Sequence, residues 1–166
     1  MTILSAARRL AAVLESADTK IVFAESCTGG LVSGALTRVP GISRFLCGGM
    51  VTYRNETKTA YLQVPAKLLR DPGPVSEIVA REMAVGILKH TPEAEWSAAV
   101  TGHLGPHAPV ELDGVVFIAV AERGPSSRPK CAVTRYQCRA VERFSRQQEV
   151  IEQVLLQAAT AIAAAG

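Results

Sequence analysis

The stretch Ala24-Glu25-Ser26-Cys27-Thr28-Gly29-Gly30 joins a short apolar run at 21–24 to a helical pattern over 31–38. The apolar run predicts a strand that is buried on both faces, and the spacing of the later apolar residues predicts a helix. The chain must therefore turn sharply from a strand into a helix at residues 24–30. Such a turn exposes side chains and presents unpaired backbone N–H groups, so it can hold an anion or an oxyanion.

Strand and helix patterns extend from this turn to both ends of the chain. Helical spacing of apolar residues predicts helices over 3–17, 29–39, 55–63, 65–70, 76–89 and 141–165. Apolar or alternating runs predict strands over 21–25, 45–53, 97–101, 115–121 and 131–138, with 125–129 as a hairpin connection. Strands that alternate with helices and later follow one another predict an α/β fold, in which a mixed sheet carries helices on both faces. Gly48 and Gly49 interrupt the second strand and indicate a bulge or a close backbone approach.

Length and composition limit the classes of protein to which this chain can belong. A chain of 166 residues, 48% of them hydrophobic, predicts a single domain over 1–166 with a large core. The net charge of +3 comes without a dense Lys/Arg cluster, which argues against nucleic acid as a partner. The sequence has no run of 18 apolar residues, so we expect no membrane span, and its four cysteines form no CxxC pair. The first residues lack an export signal, so we expect a cytoplasmic protein with free thiols.

Ser26 is the first candidate for chemistry. A serine at a strand-to-helix turn has an exposed Oγ beside N–H groups that can hold an oxyanion. The alternative is that Ser26 or Thr28 only caps the following helix, which is the usual role of these residue types. Cys27 is a second candidate nucleophile, since a helix N-terminus lowers the pKa of a thiol. Either nucleophile needs a base.

The three histidines are weak candidates for that base. His90 lies at a predicted helix end, where a histidine usually has only an electrostatic role. His103 and His107 are separated by Gly105-Pro106, which prevents the helix that would place them on one face. The sequence contains no HExxH or similar ligand set, so we expect no metal site.

Lys58 is the alternative base, because serine–lysine pairs do the work of the triad in some enzymes. It lies one turn into a helix that follows the second strand, so it can reach the same edge of the sheet as Ser26. A free lysine has a pKa near 10.4, so roughly one in a thousand or fewer is neutral at pH 7, and burial must lower that pKa. Tyr53 can relay or orient the proton. The alternative is a solvated Lys58 and a Tyr53 that packs with its hydroxyl at the surface.

Two further segments can contribute to binding. Thr101 and Gly102 follow a core strand, where a glycine lets a ligand approach the backbone, although a simple loop turn is the alternative. Arg139, Arg143 and Arg146 lie near the start of the last helix and can grip a phosphate or a carboxylate. A solvated face is the simpler explanation for at least two of these arginines.

Four blocks occur in an order that resembles the CinA C-terminal domain family over about residues 3–163. They are AESCTGG at 24–30, VTYRNETK at 51–58, GPVS at 73–76, and VTG at 100–102 followed by Gly105-Pro106. The resemblance implies a three-layer α/β/α fold. As in the nicotinamide mononucleotide deamidases of that family, it also implies hydrolysis of this nucleotide to nicotinate mononucleotide and ammonia. It implies Ser26, Tyr53 and Lys58 as catalytic residues, no cofactor or metal, and a homodimer or larger homo-oligomer.

The loop at 103–113 departs from the family, which usually reads TGIAGP followed by a glycine-rich run and Lys-Pro-Val-Gly. Here the loop is shorter, the glycine run and the lysine are absent, and histidines and acids are present. The alternative to a deamidase is therefore a non-catalytic nucleotide- or phosphometabolite-binding module that kept the fold. For either function we predict that a small nucleotide is bound by residues of the turn and of the segments that face it: Cys27, Thr28, Gly29, Gly30, Thr101, Gly102 and Arg146.

Overall fold

The computed structural model describes residues 1–125 and 127–166, and over these residues helices and strands follow the order that the sequence predicts. The strands are β1 (Ile21–Glu25), β2 (Leu46–Val51), β3 (Trp96–Gly102), β4 (Val115–Glu122) and β5 (Lys130–Gln137). The helices are α1 (Ile3–Ala17), α2 (Leu31–Leu36), α3 (Asn55–Leu62), α4 (Ala66–Arg70), α5 (Glu77–His90) and α6 (Arg143–Ala165). Short 3-10 helices lie at Ile42–Arg44 and Val110–Leu112. The predicted connection at 125–129 includes Ser126, which lies outside the described residues.

The strands form a mixed sheet in the order β2-β1-β3-β4-β5. β1 pairs in parallel with β2 on one side and β3 on the other, whereas β3–β4 and β4–β5 are antiparallel. Because β1, β2 and β3 are parallel, their carboxyl ends meet at one edge of the sheet. The chain leaves β1 for β2 on one side and later returns as β3 on the other, which is the arrangement that opens a ligand crevice in α/β sheets.

Helices cover both faces of the sheet, as the sequence predicts. Alternate residues of β1 divide between two cores: Ile21 and Phe23 pack with α1, α2 and α6, while Val22 and Ala24 pack with α3, α4 and α5. This alternation confirms the prediction of a strand that is buried on both faces. The fold is a three-layer α/β/α sandwich with a mixed sheet.

The second helix is shorter than its predicted span of 29–39. It begins only at Leu31, because Gly29 and Gly30 have φ angles of 62° and 96° and so lie in the left-handed region. The two glycines are therefore part of the turn. α3 begins at Asn55, as the span 55–63 predicts, and Arg54 holds its N-cap position.

The prediction for the glycines of β2 is confirmed in both of its forms. The register between β1 and β2 shifts after Ile21, so that Cys47 is an extra residue in β2. A Cβ on Gly49 would lie 2.0 Å from Ser33 Oγ of α2, so only a glycine allows this approach. β2 therefore packs directly against the first turn of α2, beside Glu25.

None of the helices described here combines the length and the apolar character that crossing a membrane requires.

Candidate active site

Ser26 lies at the carboxyl end of β1, where the strand turns toward α2. Its backbone N–H still donates to Val100 O of β3 at 3.1 Å, so the residue is held in line with the sheet. Its carbonyl accepts the N–H of Gly29 at 3.1 Å, which closes the turn. The hydroxyl is thus fixed at the edge of the sheet where the parallel strands end.

Lys58 reaches this hydroxyl from α3, which follows β2. Its Nζ lies 3.0 Å from Ser26 Oγ and 2.9 Å from Thr52 O, and the residue is only 2% exposed. Within residues 1–125 and 127–166, no carboxylate forms an ion pair with it. Burial lowers the pKa of Lys58 from 10.5 to about 8, and this effect exceeds the opposing one of the nearby Cys27. At pH 7 about one amine in ten is then neutral, which is roughly 300 times the fraction at a pKa of 10.5.

Tyr53 lines the same cavity as Ser26 and Lys58. It is 58% exposed, and its hydroxyl accepts a hydrogen bond from Arg143 Nη2 at 3.1 Å. In the part of the chain that the structure describes, its hydroxyl makes no hydrogen bond to Ser26 or Lys58. A role for Tyr53 in proton transfer stays a prediction.

The carboxylate of Glu25 occupies the N-terminus of α2. It is 1% exposed and accepts five hydrogen bonds between 2.7 and 3.0 Å. The donors are the Thr28 and Ser33 hydroxyls and the N–H groups of Gly30, Val32 and Ser33. A buried carboxylate needs such donors. The Glu25 side chain therefore takes up the hydrogen-bond donors of Thr28 and Gly30 that we had expected to bind substrate.

Three predicted substrate-binding residues of the turn are therefore turned inward. The Thr28 hydroxyl and the Gly30 N–H donate to Glu25, and the Gly29 N–H donates to Ser26 O. The Thr28 hydroxyl and the N–H groups of Gly29 and Gly30 are therefore not available to a ligand in this conformation, which corrects the sequence-based interpretation of these groups. Cys27 does line the cavity. Burial raises the pKa of its thiol to about 12, which favours Ser26 over Cys27 as the nucleophile.

Thr101 and Gly102 lie across the cavity from the turn, at the end of β3. Both line it, and the Thr101 hydroxyl is itself used to donate to Pro74 O at 2.8 Å. Their role in binding a nucleotide stays a prediction. A Cβ on Gly102 would lie 2.2 Å from Val116 Cγ1, so the glycine is also required for packing against β4.

Arg146 does not reach this cavity. Its guanidinium forms a bidentate pair with the Asp113 carboxylate at 2.7 and 2.8 Å and donates to the carbonyls of Leu104 and Ala140. It thus secures the loop that precedes β4, which corrects its prediction as a substrate-binding residue. Arg143, one turn earlier in α6, lines the cavity instead and donates to Gly105 O at 2.6 Å. Sequence spacing could not distinguish the two arginines, because the deciding partner, Asp113, is distant in the chain.

The cavity has a volume of about 250 Å³ and a basic lining. Lys58 and Arg143 both face it, and no Asp or Glu of the described residues does. The loop at 103–108, whose departure from the family raised the question of the substrate, also lines it. Sequence reasoning did not assign a binding role to Asn55, Pro74 or Val75, which line it too; Pro74 and Val75 lie in the GPVS block, which was a usable signal. His103 and His107 face the cavity too, but the described residues contain no group of three or more side chains that could hold a metal ion.

Known proteins resemble this chain over most of its length. The CinA C-terminal domain family matches residues 4–162. A CinA-like protein of Citrifermentans bemidjiense is 40% identical over 130 residues, which are 77% of this chain and 30% of that relative. Another CinA-like protein, from Gloeobacter violaceus, is 42% identical over 115 residues, 69% of this chain and 27% of the relative. The matched segments thus cover less than a third of these longer proteins.

Solved structures match the whole fold. A CinA superfamily protein from Klebsiella pneumoniae superposes with a TM-score of 0.90 at 26% identity and covers 98% of this chain and 99% of its own. The competence/damage inducible protein CihA from Agrobacterium tumefaciens gives a TM-score of 0.88 at 31% identity, over 97% of this chain and 95% of its own. With the match over 4–162, these likenesses show that the chain belongs to the CinA C-terminal domain family.

Proposed function

We propose that this protein is an amide hydrolase in which Ser26 is the nucleophile and Lys58 is the base, and that its substrate is nicotinamide mononucleotide. The observation that carries the proposal is the 3.0 Å contact between Lys58 Nζ and Ser26 Oγ, made by a buried amine whose pKa is lowered to about 8. A buried lysine beside a serine, with no counter-charge among the described residues, has no evident structural purpose and fits an activated nucleophile.

Each step follows from the contacts of these two residues. Thr52 O accepts one N–H of the neutral Lys58 amine, which leaves its lone pair free to take the proton of Ser26 Oγ. Oγ then attacks the carboxamide carbon, and the carbonyl oxygen becomes an oxyanion. The Lys58 ammonium returns its proton to the nitrogen, ammonia leaves, and an ester to Ser26 remains. Lys58 next deprotonates a water that attacks this ester, which releases the acid and restores the Ser26 hydroxyl.

The charge of the cavity supports an anionic substrate. Arg143 faces the cavity with no carboxylate partner among the described residues, whereas the neighbouring Arg146 is neutralised by Asp113. A guanidinium binds phosphate with two parallel hydrogen bonds, so a nucleotide monophosphate matches the cavity better than an uncharged amide. The family resemblance points to the same substrate.

The test is to incubate the purified protein with nicotinamide mononucleotide and measure ammonia and nicotinate mononucleotide together. We expect stoichiometric release of both, and a loss of at least about a thousandfold in kcat in Ser26→Ala. Activity that survives this substitution would refute the nucleophile. A protein that folds but releases no ammonia would refute the proposed substrate.

A second candidate is a non-catalytic nucleotide-binding module. The hydrogen bond from Arg143 to the Tyr53 hydroxyl favours it, because one of the three predicted catalytic groups is then bonded to a residue other than Ser26 or Lys58. Nucleotide that raises the melting temperature without any turnover would support this module, and measurable turnover would dismiss it.

A further inference from the structure

Backbone N–H groups around the turn are almost all used within the protein. From Ser26 to Gly34, every N–H donates to another residue of the described chain except those of Cys27 and Thr28, and the Cys27 N–H has only its own sulfur beside it. Ser26 donates to Val100 O, Gly29 to Ser26 O, Leu31 to Thr28 O and Gly34 to Gly30 O. The N–H groups of Gly30, Val32 and Ser33 donate to the Glu25 carboxylate. The N-terminus of α2 is therefore closed to a ligand, and the two unused donors lie before it.

The directions of these two donors are fixed by bonds to the carbonyls beside them. A peptide group is planar and trans, so an N–H points away from the carbonyl of the same group. The Ser26 carbonyl is held by the N–H of Gly29 at 3.1 Å, which sets the direction of the Cys27 N–H. The Cys27 carbonyl is held by Nε2 of Gln147 in α6 at 3.2 Å, which fixes the next peptide group along. Cys27 lines the cavity and Thr28 does not.

We infer that the backbone N–H of Cys27 is the oxyanion donor of this site, and that Glu25 and Gln147 are positioning residues that hold the turn around it. The inference rests on the proposed hydrolase function. An oxyanion hole needs donors that are unpaired in the resting protein and cannot reorient, because their contribution comes from preorganisation. The residue after the nucleophile supplies such a donor in other strand-to-helix nucleophile turns.

Glu25 and Gln147 contact different parts of the turn. Glu25 accepts hydrogen bonds from the N–H groups of Gly30, Val32 and Ser33, so these groups at the start of α2 cannot bind the oxyanion. Gln147 ties the Cys27 carbonyl to α6, which is 120 residues further along the chain. Loss of the Gln147 contact frees the peptide group that adjoins the donor, and loss of the Glu25 contacts frees the N–H groups at the start of α2.

Labelling of Ser26 by a fluorophosphonate tests the inference without any nucleotide. Ser26 Oγ forms a bond to phosphorus, fluoride leaves, Lys58 takes the hydroxyl proton, and the phosphoryl oxygen occupies the oxyanion position. In Gln147→Met we expect the labelling rate to fall about ten- to hundredfold, somewhat less than the loss of a whole donor. Gln148→Met is the matched control, because Gln148 is the next residue of α6 and makes no side-chain hydrogen bond in the described chain; it should be labelled at the rate of the unmodified protein.

Two further readouts separate positioning from a general loss of structure. The pH dependence of labelling should keep its midpoint in Gln147→Met, because Lys58 is untouched. Glu25→Gln, whose folding is checked by circular dichroism, should also be labelled more slowly. The NH2 group of the substituted amide cannot accept the hydrogen bonds that the N–H groups of Gly30, Val32 and Ser33 donate to the carboxylate. If nicotinamide mononucleotide is hydrolysed, Gln147→Met should lower kcat and leave KM unchanged.

Labelling of Gln147→Met at the unmodified rate would overturn the inference, and so would an equal loss in Gln148→Met. A protein that is labelled but does not hydrolyse nicotinamide mononucleotide would refute only the proposed substrate, and the variants would still decide the oxyanion donor. An unmodified protein that is not labelled at all would refute the nucleophile and this inference with it.

Discussion

Replacing Lys58 with methionine should remove a buried positive charge that destabilises the folded protein. Because this destabilisation depends on pH, the gain in the free energy of unfolding should depend on pH as well. Burial holds the pKa of Lys58 at about 8 in the folded protein, against 10.5 for an ordinary lysine. Between about pH 8 and pH 10.5 the unfolded chain binds more protons than the folded chain, so the free energy of unfolding rises with pH in this range. The destabilisation by Lys58 is complete below pH 8 and fades toward pH 10.5.

The magnitude follows from the two pKa values. Lowering the pKa from 10.5 to about 8 destabilises the folded state by on the order of 3 kcal/mol at pH 7, at about 1.4 kcal/mol for each pKa unit. At about pH 9.5 the same linkage leaves on the order of 1 kcal/mol. The stability advantage of Lys58→Met over the unmodified protein should therefore fall by about 2 kcal/mol between these pH values. Other effects of the substitution, such as the lost contact with Ser26, shift the advantage equally at each pH.

Urea unfolding followed by circular dichroism measures this difference at the two pH values and at one ionic strength. Lys67→Met, at an exposed site, controls for the loss of one positive charge. Ammonia release must be lost in Lys58→Met and kept in Lys67→Met. An advantage that is the same at both pH values would refute a buried amine with a lowered pKa, and with it the physical basis for Lys58 as the base.

Three other properties of the site can be measured directly. Below pH 8, kcat/KM for ammonia release should rise about tenfold per pH unit and then level off, because only the neutral Lys58 amine accepts the proton; a rise that continues to pH 10 would contradict this. Arg143→Met should raise KM for nicotinamide mononucleotide about ten- to hundredfold and leave that for the phosphate-free riboside unchanged, and equal changes would exclude a phosphate contact. Gly49→Ala should lower the free energy of unfolding by about 1–3 kcal/mol in urea titrations, because the new Cβ meets Ser33, and an unchanged value would show that α2 can move away.

Periodicity predicted the elements and the layers because burial leaves a regular trace in the sequence. The continuous apolar run of β1 predicted a strand covered on both faces, and the alternating residues at 131–138 predicted the strand β5, whose residues are exposed or half-buried in the structure. The ends of α2 were harder to predict, because Gly29 and Gly30 are compatible with either a helix or a left-handed turn until the partner of Glu25 is known.

The site was predictable in its residues but only partly in their partners. Ser26 and Lys58 were chosen for their chemistry, and the sheet brings them together because β1 and β2 end at the same edge. The environment of Lys58 was not readable, because a lysine in an amphipathic helix has the same spacing whether it faces water or a core. For the same reason Glu25 was interpreted as a residue of an exposed turn, although the donors that surround it come from α2 and from the turn itself.

The two halves of the site come from different parts of the chain. Ser26 and Lys58 belong to one continuous segment that runs from β1 to α3, while the opposite wall is the connection from β3 to β4, secured by Arg143 and Arg146 of α6. A change of length or composition in that connection can therefore alter which molecule is accepted without moving the nucleophile or its base. Because of this separation, a different loop at 103–113 can change the substrate specificity of a relative while the nucleophile, the base and the rest of the fold stay the same.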